Sequence, residues 1–395
     1  MITALGSACK FLNGGTPSKG VSSYFEGDIP WITSADIVGP IADTARSFIT
    51  EEAIQKSATN KVTAGSVLLV TRTAVGKVAI AGTDLCFSQD ITALIPDRTK
   101  LDVGYLVQYL RTKQTHFERR ARGATIKGIT RDVVADLPIP LPPLPEQIRI
   151  AAILDQADAL RAKRREALAQ LDSLTQSIFV EMFGDPRENE NGWSKQSIGT
   201  FISDMRGGAP LEPDDFIESG FPILHKGAIK PQGQIHLDTK KKTFVATEYA
   251  ITKPRCVANR EFVAVTLRDL VPSGPSIGLA ADLRDGPFDE YILAQGAYAF
   301  RIDPAKVTTE YFVHLSNMPT FRYVLLQNAV GSTQIHIRTP IYLAISVPCP
   351  PIELQRKFSR RVRAVENMRR QYRASLSELD SLFVSLQHRA FRGEL

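Results

Sequence analysis

Between Pro145 and Gly184 the chain contains neither proline nor glycine, and apolar residues return at Ile153, Ala157, Leu160, Ala167, Leu171, Leu174 and Ile178. With Arg164 filling the step between Leu160 and Ala167, the spacing alternates four and three, the heptad seam of a helix that pairs with another. The pattern comes back at Phe358, Val362, Val365, Met368, Tyr372, Leu379, Leu382 and Leu386, in a stretch free of proline and glycine from Pro351 to Gly393. Each stretch predicts a helix of about 40 residues, about 60 Å long at ~1.5 Å per residue. One apolar stripe does not stabilise a lone helix in water. The two helices are therefore expected to pair, antiparallel, with a module at each end. The pattern also allows each helix to pack on its own module as ordinary core.

Outside these stretches the periods are short. Residues 1–145 read as mixed α/β, with β-rich runs at Ser66–Val70 and Lys77–Ile80 between turn signals and a helix from about Val103 to Arg122. Leu137-Pro138-Ile139-Pro140-Leu141-Pro142-Pro143 must be extended, because each proline fixes its own φ and restricts its predecessor. It predicts a stiff connector into the first long helix. Residues 186–352 repeat the scheme, with Val347-Pro348-Cys349-Pro350-Pro351 as connector.

The halves are in fact copies. Gly123-Ala124-Thr125 returns as Gly331-Ser332-Thr333, Pro142–Gln147 as Pro350–Gln355, Leu171-Asp172-Ser173-Leu174 unchanged as Leu379-Asp380-Ser381-Leu382, and Phe183 as Phe391, all at an offset of 208. Further forward the match loosens. Gly14-Gly15-Thr16-Pro17 meets Gly207-Gly208-Ala209-Pro210 at offset 193, Thr73–Ala79 resembles Pro275–Ala281 at 202, and Gln89 and Ala93 match Gln295 and Ala299 at 206. The growing offset marks insertions in the second half, which normally fall in surface loops. Each half has a variable front and a constant back: two related modules on a shared scaffold.

Composition is that of an ordinary globular protein, 43% hydrophobic and 23% charged in 395 residues. No apolar run reaches the ~18 residues of a membrane helix. The start Met1-Ile2-Thr3-Ala4-Leu5 has no signal-peptide character, so a cytoplasmic protein is expected. Cys9, Cys86, Cys256 and Cys349 are far apart and form no CxxC or Cys/His cluster; buried free thiols are expected, with no metal site. The net charge of +6 is compatible with a polyanionic partner without establishing one.

Charge is unevenly shared. The first module carries 16 basic and 13 acidic residues, the second 17 of each, so any DNA contacts must come from local clusters. Candidates in the first module are Thr16, Lys19, Arg72, Lys77, Lys127 and Arg131. In the second they are Lys226, Lys230, Lys241 within the Lys240–Lys242 run, Arg268, Gln334, His336 and Arg338. The segment Gly123–Thr130 is a polar loop just after a basic helix end, and its counterpart holds Gln334, His336 and Arg338. Gln, Lys and Arg are side chains that read adenine and guanine edges in the major groove. The many arginines of the long helices, such as Arg360, Arg361 and Arg363, read as a solvated face or as contacts to phosphates.

Catalytic patterns are not evident. The chain lacks a GxxxxGK[ST] phosphate loop, a GxSxG elbow, HExxH and the amino-methyltransferase motif. Pro213-Asp214 followed by Asp238-Thr239-Lys240 superficially matches a metal-dependent nuclease, and nothing marks it in the first copy.

Together Gly14–Pro17, Gly27-Asp28-Ile29-Pro30-Trp31-Ile32-Thr33, the connector Leu137–Gln147 and the helix ends Gln176–Asp185 and Ala390–Leu395 resemble the specificity subunits of type I restriction–modification systems. The resemblance covers essentially the whole chain. It implies an α+β fold: target recognition domains at 1–145 and 186–352, separated by a pair of long antiparallel helices at 146–185 and 353–395 that form a coiled coil with pseudo-two-fold symmetry. It implies that each domain reads one half of an asymmetric, bipartite duplex site, with the helices as a ruler. Half-sites on one face of DNA are spaced by roughly 34–36 Å per turn, within reach of such a rod. It also implies a non-catalytic subunit that recruits two modification subunits, with restriction and translocase subunits joining them. S-adenosylmethionine, ATP and Mg²⁺ would then sit on the partners and no cofactor in this chain. The other class of protein compatible with the pattern is a structural scaffold whose coiled-coil arm merely joins two partners.

Overall fold

Paired prolines hold the backbone extended ahead of each long helix, and the helices begin directly after them, at Leu144–Phe183 and Ile352–Ala390. Gly184 (φ +75°) and Gly393 (φ +76°) stop them in the left-handed conformation that glycine adopts without steric cost. The computed structural model describes residues 2–123, 125–238 and 240–395; Met1, Ala124 of the first Gly-Ala-Thr segment and Thr239 of the Asp238–Lys240 pattern lie outside them. Contacts divide the chain into two units: residues up to Arg164 with Ser375–Leu395, and Arg165–Ala374. Each unit holds one α/β module and half of each helix. Among the described residues, no helix is long and apolar enough to cross a membrane.

In the first unit a five-stranded sheet runs in the order Cys9–Asn13, Ile91–Pro96, Val67–Val70, Val78–Ala81, Ile41–Ala42. A four-stranded sheet of Ser47–Ile49, Ile29–Ile32, Leu85–Phe87 and Lys61–Val62 completes the module. The proline connector is itself a strand, Pro138–Pro140, antiparallel to Ile2–Ala4. The helix expected from Val103 to Arg122 is interrupted: Val103–Thr112 and Gln114–Arg120 are separated at Lys113 (φ −97°, ψ 5°), and the second piece delivers Phe117 to the core.

The second unit repeats this plan. Its sheets run Ile202–Gly207, Ala297–Ile302, Val263–Thr266, Ala280–Asp282, and Phe244–Val245, Phe221–Leu224, Glu290–Leu293, Val257–Asn259. The connector strand Ser346–Pro348 pairs with Lys195–Ser197, and helices Thr309–Asn317 and Pro319–Gln327 cover the core.

Inside each unit the two long helices run antiparallel. In the first, Arg149 Nη2 donates to the Leu395 carbonyl (2.9 Å) and Arg161 Nε to Asp380 (2.6 Å). In the second, Arg369 Nη2 donates to the Leu171 carbonyl (3.1 Å) and Arg361 reaches Glu181 (3.4 Å). The buried line differs from the expected seam. Leu160, Leu174, Met368 and Leu382 are exposed, and the inward positions are Arg161, Thr175, Arg369 and Phe383, one residue further on. The first helix therefore turns inward Ile150, Leu154, Ala157, Arg161, Arg164, Leu168, Leu171, Thr175, Ile178 and Met182, still in steps of four and three. The physical reason is that each arginine has a carboxylate waiting on the opposite helix, so a charge takes a place where leucine was expected.

The helices also belong to the module cores. Ile150 and Leu154 cluster with Leu106, Tyr105 and Phe383 in the first unit, and Phe179 and Phe183 with Tyr311, Phe358 and Val362 in the second. Phe391, ending the second helix, packs edge-on against Tyr105 at 5.2 Å, and Phe183, ending the first, against Tyr311 at 4.9 Å. Each module is thus gripped by the start of one long helix and the end of the other. A buried glutamine fixes the start. Gln147 accepts from Asp102 N (3.0 Å) and donates to the carbonyls of Lys100 and Pro142 (both 2.9 Å). Gln355 accepts from Thr308 N (3.0 Å) and donates to Lys306 (3.3 Å) and Pro350 (2.8 Å). Among neutral side chains only a primary amide supplies acceptor and double donor at one point.

All four cysteines are free; Cys9 and Cys86 are buried, whereas Cys256 and Cys349 are half-buried, packed against the outside of core clusters. Burial pushes the Cys9 thiol up to about 12 and removes its nucleophilic form.

Candidate nucleic-acid interface

Each module presents the same small hairpin. In the first, Arg122 and Gly128 exchange both backbone hydrogen bonds at 2.9 Å, with Gly123 at φ +133°. In the second, Val330 and His336 do the same at 2.9 Å, with Gly331 at φ +120°. A Cβ on Gly123 would fall 2.1 Å from the Ile126 carbonyl oxygen, and one on Gly331 2.0 Å from that of Gln334, so both hairpins require glycine.

Each hairpin is pinned to the turn that follows a central strand. Ile129 N donates to the Thr71 carbonyl (2.9 Å) and Thr73 N to that of Lys127 (3.1 Å), which sets Arg72 opposite Gly128. Likewise Ile337 N donates to the Leu267 carbonyl (2.8 Å), and Arg268–Asp269 pairs with Ile335–His336, setting Arg268 opposite His336. Arg72 and Arg268 are therefore equivalent. The sequence offset concealed this, because it rises from 196 at the strands Val67–Val70 and Val263–Thr266 to 202 within the next few residues.

In the first unit the structure brings Arg72, Lys77 and Lys127 together. Lys77 and Lys127 line one groove with Gln114 and Glu118, and Lys77 Nζ lies 3.4 Å from the Ile37 carbonyl. Thr73, between them, holds φ +67°, a strained conformation for a β-branched residue and a mark of a constrained site. Arg131 starts the helix Arg131–Ala135 with its guanidinium 5.4 Å from the Phe11 ring, stacked on its own module. Thr16 and Lys19 follow a close backbone crossing: Gly15 accepts from Trp31 Nε1 (3.0 Å) and Thr59 Oγ1 (2.6 Å), and a Cβ on Gly14 would meet Ser88 O at 2.0 Å. Gly208 makes the same approach to Ala294. Gly208 is thus the counterpart of Gly14, and Ala209 of Gly15, each unit using one glycine for this close packing. Among the described residues, no hydrogen bond or ion pair joins Thr16 or Lys19 to the Arg72 group.

In the second unit Arg268, Gln334, His336 and Arg338 share one surface. Arg268 Nη2 donates to Gln334 Oε1 at 2.6 Å, which orients both side chains. His336 and Arg338 are exposed on the same segment. Lys226 Nζ is committed to buried Asp269 at 3.4 Å. Burial opposes ionisation of Asp269, but bonds from Ser276 and the charge of Lys226 prevail and hold its carboxyl down to about 2. Lys230 and Lys241 lie elsewhere; Lys241 pairs with Asp238 at 3.5 Å.

The acidic residues of the nuclease-like pattern serve as turn formers. Asp214 lies exposed in the short turn Pro213–Asp215, and Asp238 accepts from Lys240 N (3.2 Å). Among the described residues, no group of three His, Cys, Asp or Glu side chains is arranged to hold a metal ion.

Residues 1–170 match the family model of the type I restriction modification DNA specificity domain. The chain is similar to the type I restriction enzyme MjaVIII specificity subunit of Methanocaldococcus jannaschii, 23% identical over 379 residues, covering 93% of this chain and 86% of that one. It is similar to the EcoR124I/EcoR124II specificity subunit of Escherichia coli, 33% identical over 182 residues, covering 44% and 45%. The fold is shared with the S subunit of a type I restriction–modification system from M. genitalium, with TM-score 0.57 at 18% identity, covering 99% of this chain and 96% of that one.

Proposed function

Because the chain belongs to the DNA specificity subunits of type I restriction–modification systems, we propose that it reads an asymmetric, bipartite duplex site, one module to each half-site. The observation that carries this is the twin hairpin. The same backbone platform occurs once per unit, and it displays Arg72, Lys77 and Lys127 in the first but Arg268, Gln334, His336 and Arg338 in the second. Identical scaffolds with different base-reading side chains give two different half-sites.

Two modification subunits are the partners we infer. Leu160 and Met368 are equivalent exposed positions on the two long helices, as are Leu174 and Leu382. One member of each pair lies in each unit, so the same apolar face is offered twice, as two copies of one partner require. In this reading the chain itself catalyses nothing. S-adenosylmethionine belongs to the modification subunits, and ATP and Mg²⁺ to restriction and translocase subunits where these join. The complex acts in the cytoplasm.

Binding of the partnered chain to duplex DNA at rising salt tests this. Affinity should fall steeply with log salt and retain a sequence-dependent component. A scaffold that only joins proteins shows neither.

A further inference from the structure

The turn beside the second hairpin is longer than its twin. In the first unit the Val70 carbonyl is closed by Gly76 N (2.9 Å), six residues on; in the second the Thr266 carbonyl is closed by Gly278 N (2.8 Å), twelve on. One buried carboxylate orders the extra chain. Asp269 accepts from Leu270 N (2.7 Å), Ser276 N (2.7 Å) and Ser276 Oγ (2.5 Å), besides its pairing with Lys226. Gly274 (φ +57°) is pressed against Ile335 and Leu326 so closely that a Cβ would lie 2.5 Å from each. The base of the turn is thereby fixed to the hairpin that carries Gln334 and His336.

At the tip, Leu270 and Val271 are 57% and 44% exposed. Two adjacent aliphatic side chains are held out in water by a turn too well bonded to fold them back, an arrangement that marks a contact surface. Beside them stand the Arg268–Gln334 pair and His336. A cationic donor, an amide and aliphatic carbons side by side match the major-groove edge of a site containing thymine, where acceptors lie next to a C5-methyl group.

We propose that Leu270 and Val271 contact thymine C5-methyl groups in the half-site read by the second module. The inference rests on the DNA reading above. It confines methyl recognition to one half-site, because the short turn of the first unit has no equivalent tip.

The test titrates the full chain, assembled with its modification subunits, against duplexes carrying the bipartite site it prefers. Each thymine is replaced in turn by deoxyuridine, which lacks only the methyl group. The wild type should lose roughly fourfold in affinity at one or two thymines of the second half-site, the size of one buried methyl, and nothing in the first. L270A/V271A should bind more weakly and be indifferent to the replacement, with the first half-site as internal control. A deoxyuridine penalty equal in wild type and variant, a wild type without any penalty, or a second half-site without thymine overturns the proposal. Failure of the wild type to prefer any duplex tells against the DNA reading itself and removes this inference with it.

Discussion

Arg161 of the first long helix and Asp380 of the second lie 2.6 Å apart, and 208 positions on, the same pair is written the other way round as Arg369 and Asp172, 3.0 Å apart. Each arginine also holds a carboxylate one turn back, Asp158 at 2.8 Å and Glu366. Each unit thus holds one inward arginine between two partly exposed carboxylates. Such clusters contribute little net stability over an apolar pair, but removing one carboxylate leaves a desolvated arginine with fewer partners.

The two clusters should respond unequally. Arg369 is 1% exposed and Arg161 17%. Asp172→Ala should cost about 3 kcal/mol, whereas Asp380→Ala should cost about 1 kcal/mol because water still reaches Arg161. Urea midpoints of the two variants check this. Equal, small losses would mean that the seam does not depend on the buried pair.

Gln147 and Gln355 each satisfy three backbone groups. Replacing either by leucine keeps the volume and abandons those groups, at an expected cost of about 2 kcal/mol. Hydrogen exchange at Asp102 N or Thr308 N should accelerate in the matching variant alone. Protection unchanged at both amides would contradict the anchoring role.

His314 gives the second unit a pH dependence. Its ring stands on Phe358 at 5.3 Å, and desolvation, then the charge of Arg369, hold its pKa down to about 4 against a partial opposing pull from Glu310. The folded form keeps it neutral while the unfolded chain takes up a proton below about 6.5. Stability is therefore full above that pH and falls as the pH drops toward 4. Between pH 7 and pH 5 the loss from this residue should be about 2 kcal/mol. His314→Gln should flatten that part of the profile; an unchanged slope would locate the effect in another group.

The Arg268–Gln334 bond orients the surface of the second module. Gln334→Ala should relax base choice at one position of one half-site by roughly 1–3 kcal/mol. Lys127→Ala should act on the other half-site. Arg131→Ala, stacked on Phe11, should leave the motif unchanged. Sequencing of selected duplexes reads all three, and a change in both half-sites from a single substitution would break the one-module, one-half-site assignment.

Much of this architecture is legible in the chain. The proline connectors, the two glycine-free stretches and the 208-residue offset announce paired long helices and two modules, and the helices begin within a residue or two of the prolines. The seam is less legible. Leu160 and Leu382 look like core residues because local pattern rewards apolar side chains, yet Arg161 and Phe383 turn inward, since the carboxylate that admits an arginine is contributed by a strand of sequence some 200 residues away. The equivalence of Arg72 and Arg268 is hidden for another reason. A six-residue insertion falls just after them, so the offset read from the following glycine misaligns the pair. Only hydrogen bonding to the twin hairpins reveals it.

The most direct measurement maps adenine methylation across the genome of a host in which this gene is the only variable, with the partner modification subunits held constant. The account predicts a new bipartite motif with two unlike half-sites, whose second half alone changes when residues 186–352 are exchanged for those of a similar specificity subunit. A methylation motif that stays the same whichever version of the chain is supplied would contradict it.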